Sequence, residues 1–164
     1  MTFKAILLSI SLLFIARLCG QTRTITGKVI GEALYPVYEA RIFNADNLLL
    51  VTTDTSGNFK LEIPIETKSI IISSLGMERK NIDLTGNCSN LDIILLSSAT
   101  YDFMSAGKVD RLRKKDFDKL PALHQAAFEK GIFKLVKPCY TEKFIPIKKR
   151  LKEIHKNRIQ TPNP

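Results

Sequence analysis

The chain has 164 residues, 45% of them apolar, which excludes disorder throughout and suits one domain with an appendage. Its net charge of +9 is unevenly carried: residues 1–100 hold nine charges of each sign, and residues 101–164 hold the entire excess. That discontinuity places a boundary near Ser98, ahead of a basic tail.

The chain opens with the features of an export leader. Lys4 precedes a 12-residue apolar run, Ala5 to Ala16, and Leu18-Cys19-Gly20 ends on a small residue before Gln21. A membrane-spanning helix needs about 20 residues, so a signal peptide over residues 1–20 is expected, with no transmembrane span in the mature chain. An uncleaved anchor is one alternative. Acylation of Cys19 is another, which Arg17 fits poorly because lipoprotein sites resemble small, uncharged runs. Export takes nucleic acid out of reach of the basic tail. An acidic envelope protein or an anionic surface is the expected partner, and a solvated helical face with spare lysines is the alternative.

From Gln21 to Leu96 the dominant period is two. Arg23, Ile25, Gly27 and Val29 share one strand face, with Thr24, Thr26 and Lys28 on the other. Strands are expected next at Tyr38–Phe43 and Leu48–Thr53, on either side of the turn-rich Asn44-Ala45-Asp46-Asn47. Phe59, Leu61 and Ile63 alternate with Lys60 and Glu62, a half-buried strand. Ser69–Ser74, Arg79–Leu84 and Leu91–Leu96 complete seven strands. Seven short strands with turn signals between them predict an antiparallel β-sandwich over residues 21–97, of mainly β class. In Thr53-Asp54-Thr55-Ser56-Gly57-Asn58-Phe59 the aspartate can bind backbone N–H groups two residues on and the glycine can take positive φ, so Asp54 and Gly57 are read as turn residues.

After Ser98 the period lengthens. Lys108–Asp118 predicts a helix with an Asp110–Lys114 i,i+4 pair. Pro121–Lys130 predicts a second, opened by proline and closed by Gly131. Pro146–His155 predicts a third, with Ile147, Leu151 and Ile154 on one face and Lys148, Lys149, Arg150 and Lys152 as the basic interaction candidates. The apolar stripe is too narrow for that helix to stand alone, so the tail is expected to dock through it. Residues 98–164 are thus a basic helical tail.

The strand-and-turn pattern resembles the carboxypeptidase regulatory-like domain, a transthyretin-like, Ig-like β-sandwich. Gly27 and Val29, Pro36-Val37, Ala40-Arg41-Ile42, Thr53-Asp54, Gly57, Phe59, Ser74 and Gly76 carry the resemblance over residues 22–97. Met77 stands where that family has an aromatic residue. The resemblance implies a fold, a structural role for Gly76 and a setting in the periplasm or cell envelope of a Gram-negative bacterium. It implies no catalytic residues and no cofactor.

Chemistry-bearing motifs are absent from the sequence. His124 and His155 fall in separate predicted helices, where each reads as a surface residue, and no His-Glu-x-x-His or Gly-x-Ser-x-Gly occurs. Removal of Cys19 with the leader leaves Cys88 and Cys139, both in irregular segments, as a candidate disulfide; two reduced thiols are the competing state. The expected function is a non-enzymatic exported envelope module, a scaffold with a basic tail for protein or surface interaction. The alternative is a small hydrolase, or an accessory subunit of an envelope carboxypeptidase or outer-membrane transport system.

Overall fold

A computed structural model describes residues 21–149 except 87, 99, 100 and 102. The expected leader, the tail candidates Arg150 and Lys152, and most of the predicted third helix lie outside the described residues.

The fold is mainly β, with two sheets. The strands are β1 (Thr22–Gly31), β2 (Arg41–Phe43), β3 (Leu49–Thr52), β4 (Asn58–Pro64), β5 (Ser69–Ser73), β6 (Lys80–Leu84), β7 (Asn90–Leu95) and β8 (Tyr140–Thr141). Two helices, α1 (Ala106–Phe117) and α2 (Leu120–Glu129), lie between β7 and β8. One sheet has the order β4-β1-β7, the other β3-β2-β5-β6-β8.

The period-two pattern explains the core. Phe59, Leu61 and Ile63 of β4 are buried while Lys60 and Glu62 are exposed, as their alternation predicts. A single buried cluster joins Ile25, Leu91 and Ile93 of the first sheet to Ile42, Ile70, Ile72 and Ile82 of the second. Each such isoleucine contributes about 1.5–3 kcal/mol through removal of its side chain from water.

Four expectations need correction. The strands are not all antiparallel, because β1 pairs β7 in parallel, from Thr26↔Asn90 to Gly31↔Leu95. Strands β2 to β6 form the crossover, and β7 shows the burial on both faces that parallel strands require. The strands number eight among the described residues, since Tyr140–Thr141 of the tail pairs the end of β6. The tail is therefore not purely helical. The strand expected from Tyr38 begins only at Arg41, because Glu39 takes a left-handed φ of 54° that breaks the extended run.

Both predicted tail helices within the described residues form. Ser105 caps α1, accepting the Lys108 N–H at 3.4 Å. Pro121 sits in the first turn of α2, and Gly131 follows the helix at φ 68°. The expected Asp110–Lys114 pair gives way to Lys114–Asp118, because the Asp110 carboxylate accepts the Ile147 N–H at 2.6 Å. A second buried cluster, of Ile30, Ile94, Leu96, Leu120, Ala127 and Phe133, packs α2 and the chain after it on the outer face of β1 and β7.

Gly27 is where the two neighbours of β1 crowd closest. A Cβ there would lie 2.1 Å from the Leu91 carbonyl oxygen and 2.6 Å from the Phe59 ring, whereas one at Gly76 would meet nothing within 4 Å. Gly27→Ala should cost about 2–3 kcal/mol of unfolding free energy by overpacking. Gly76→Ala, at φ 72°, should cost about 1 kcal/mol from backbone strain alone. Urea denaturation of the two variants should rank them in that order.

Candidate functional site: the basic tail and the cleft beneath it

The turn residues singled out in the sequence act on backbone. The Asp54 carboxylate accepts the Ser56 N–H at 2.9 Å and the Asn58 N–H at 2.8 Å. The bond from Asn58 leads in holding its carboxyl below the ordinary range. Gly57 has φ 75°, and a Cβ on it would lie 2.4 Å from the Val29 carbonyl oxygen. Thr53 is buried; its hydroxyl donates to the Val37 carbonyl at 2.7 Å and accepts the Ala40 N–H at 2.8 Å. Gly76, at φ 72°, turns the chain between β5 and β6.

The tail closes the free edge of β7. Cys88, two residues before β7, is bridged to Cys139, one residue before β8, with Cα atoms 5.7 Å apart. The expected surface position of His124 is corrected: it is 4% exposed and its Nε2 stands 3.0 Å from the Asp92 carbonyl oxygen. A carbonyl only accepts, so Nε2 carries the proton. Helix α2 turns this residue inward with Leu120 and Ala127 because all three share one face. The buried Asp92 carboxylate accepts the Lys134 N–H at 2.8 Å, fixing the chain after α2. Tyr140 is buried and bonds the Ile94 backbone, while Glu78 donates its N–H to the Leu96 carbonyl at 2.8 Å.

Beyond β8 the chain stays extended along β6, with Tyr140 buried, Glu142 and Phe144 half-buried, and Thr141, Lys143 and Ile145 exposed. Glu142 meets the buried Lys80 ammonium at 2.8 Å. Burial pushes Lys80 below its ordinary value, and the Glu142 charge opposes that shift. Arg113 of α1 grips Glu78 with two bonds, 2.6 and 2.9 Å, which hold its value above the ordinary one. Its guanidinium also lies 5.4 Å from the centre of the Phe144 ring. Between β6, α1 and this extended segment runs a cleft of about 310 Å³. A second, more apolar hollow of about 470 Å³ lies between α2 and residues 136–142.

The tail therefore docks, but chiefly through Leu120, Ala127 and Phe133. Ile147 is half-buried; Leu151 and Ile154 of its expected stripe lie outside the described residues. Lys148 and Lys149 are exposed, and Lys148 lies beside Gly107 at the start of α1. Every lysine and arginine described between residues 106 and 149 is exposed except Arg113. Cys139 is bridged and His124 faces β7, so they do not form a nucleophile and base, while His155 lies outside the described residues. Among the described residues no group of three or more His, Cys, Asp or Glu is placed to hold a metal ion. Asp92, Lys80, Arg113 and Glu142 were not singled out by sequence reasoning. The alternation of Tyr140, Glu142 and Phe144 was the available signal. No family model matches the chain, and no curated protein matches it.

Two outcomes follow from this geometry. Replacement of Cys88 and Cys139 by serine removes a link across 51 residues and should lower stability by about 4 kcal/mol in urea denaturation. Burial pushes the Tyr140 hydroxyl far above its ordinary 10.0, so the native state keeps a proton that the unfolded state loses. Stability should accordingly fall as pH rises through 10, and phenolate absorbance should show Tyr140 ionising only as the chain unfolds. Tyr140→Phe should remove that late step.

Proposed function

We propose that this chain is a non-enzymatic exported envelope module. Its two sheets form a transthyretin-like β-sandwich of the carboxypeptidase regulatory-like kind, and its basic tail is the interacting face. The observation that carries this reading is the sorting of charge in the tail. Its cations other than Arg113 face solvent, while two of its acidic groups, Asp110 and Glu142, are engaged at the docking surface, which leaves the outward Asp116, Asp118 and Glu129 outnumbered by exposed lysines and arginines.

A tail fixed by a disulfide, a strand pairing and an apolar cluster presents its lysines as a rigid array. Such an array meets an anionic surface with less ordering cost than a loose segment would. Attraction to an anionic lipid surface adds about 1 kcal/mol per lysine and is screened by salt. The disulfide agrees with an oxidising compartment. Among the described residues no helix is long and apolar enough to cross a membrane.

Co-flotation with phosphatidylglycerol vesicles tests the reading, with phosphatidylcholine vesicles as the neutral reference. Binding should be confined to the anionic vesicles and weaken as salt rises. Lys130→Glu, Lys134→Glu and Lys137→Glu together should weaken it by about a hundredfold or more. Binding indifferent to salt and to these substitutions would refute a basic interacting face. Capture of an acidic envelope protein through the same lysines would retain the face and change its occupant.

A further inference from the structure

We infer that the cleft between β6, α1 and the extended segment 142–145 is a binding site for a small organic carboxylate with an apolar body. The charges of its lining are unequal. Arg79, Lys80, Arg113 and Lys143 face it with only Glu78 and Glu142 to oppose them. Glu78 is taken by both bonds of Arg113, and Glu142 by Lys80. Arg79 is left with neutral partners, the Asn47 side-chain carbonyl and the Phe43 ring. Among the described residues Lys143 has no carboxylate within ion-pair distance. Two positive charges therefore remain uncompensated around one hollow.

Lys80 supplies the second, independent observation. Its side chain is 9% exposed, and its ammonium meets a single carboxylate oxygen, with no hydrogen bond of good geometry to any described group. An ammonium has three donors, and one carboxylate oxygen can meet at most one of them, so the others are left unmet at a depth where that is costly. A ligand oxygen in the cleft would answer that need, with Arg79 and Lys143 at the rim supplying charge. Apart from Asn81 the rest of the wall is apolar, formed by Ile71, Leu96, Phe117, Phe144 and Ile145. Inorganic phosphate would leave those side chains against water, whereas a carboxylate with a short aliphatic or aromatic body would cover them. The volume, about 310 Å³, sits at the small end of ligand pockets and suits a body of about eight carbons.

The probe is octanoate, with octanol and inorganic phosphate as comparators, titrated into the exported, disulfide-bonded protein and followed by NMR and calorimetry. Octanoate should shift resonances of Lys80, Phe117 and Phe144 and bind at least about tenfold more tightly than either comparator. Arg79→Ala with Lys143→Ala, both at exposed positions, should weaken octanoate by about tenfold or more and leave octanol unchanged. Lys80→Met alone would leave the Glu142 carboxylate without its cation, so the fold-preserving variant is Lys80→Met with Glu142→Leu. That variant should stay folded and lose the preference for octanoate over octanol. Equal affinity for octanol, shifts confined to the hollow beside α2, no shifts at about 5 mM octanoate, or an unchanged preference in the Lys80→Met/Glu142→Leu protein would each overturn the inference.

Discussion

The free edge of β7 is the constraint on which the rest of this molecule depends. β7 pairs β1 on one side, and on the other its backbone groups would stand bare, an invitation to pairing with another chain. The tail answers group by group, with the His124 ring at the Asp92 carbonyl and Tyr140 at the Ile94 backbone. Asp92 returns the contact by holding Lys134 N–H. Ile30, Ile94 and Leu96 add an apolar face that would be exposed without Leu120, Ala127 and Phe133. A segment that looks like an appendage by charge is a structural layer by packing.

The same arrangement sorts the charges of the tail. The tail spends Asp110 on the N–H of Ile147 and Glu142 on Lys80, and Arg113 is turned inward to Glu78. What remains outside is mostly lysine and arginine, with Asp116, Asp118 and Glu129 among them. Using two carboxylates to fasten the tail thus leaves its outer face more positive than an even spread of the same charges would be.

The strands of residues 22–95 were legible because most have one buried face, so Phe59, Leu61 and Ile63 announce themselves by alternation. The turn at Asp54 and Gly57 was legible because side-chain capping and positive φ demand those residue types. β7 was legible as a strand but not as a parallel one covered on both sides. Its Asp92 interrupts the apolar run, and only the tail explains why a carboxylate is buried there. β8 was missed because two residues make no period, and its partner β6 is more than fifty residues away in sequence. His124 was read as a surface residue because imidazole suits a solvated helix face; its burial is set by a carbonyl that local sequence does not show. The cleft was illegible for the same reason, since its lining comes from five separate stretches of chain.

The parallel pairing of β1 with β7 also dictates an order of events. Thr26 finds its partner only at Asn90, 64 positions later, whereas β5 and β6 are joined by a short turn. Local hairpins form within microseconds, and distant pairings wait on the closure of long loops. The three-stranded sheet therefore cannot be completed until nearly all of the strand-forming chain has been synthesised. Up to that moment β1 has β4 on one edge and nothing on the other. The protein keeps its first strand half-dressed until its last long strand arrives, and a chain shortened before Leu95 would leave β1 as the exposed template.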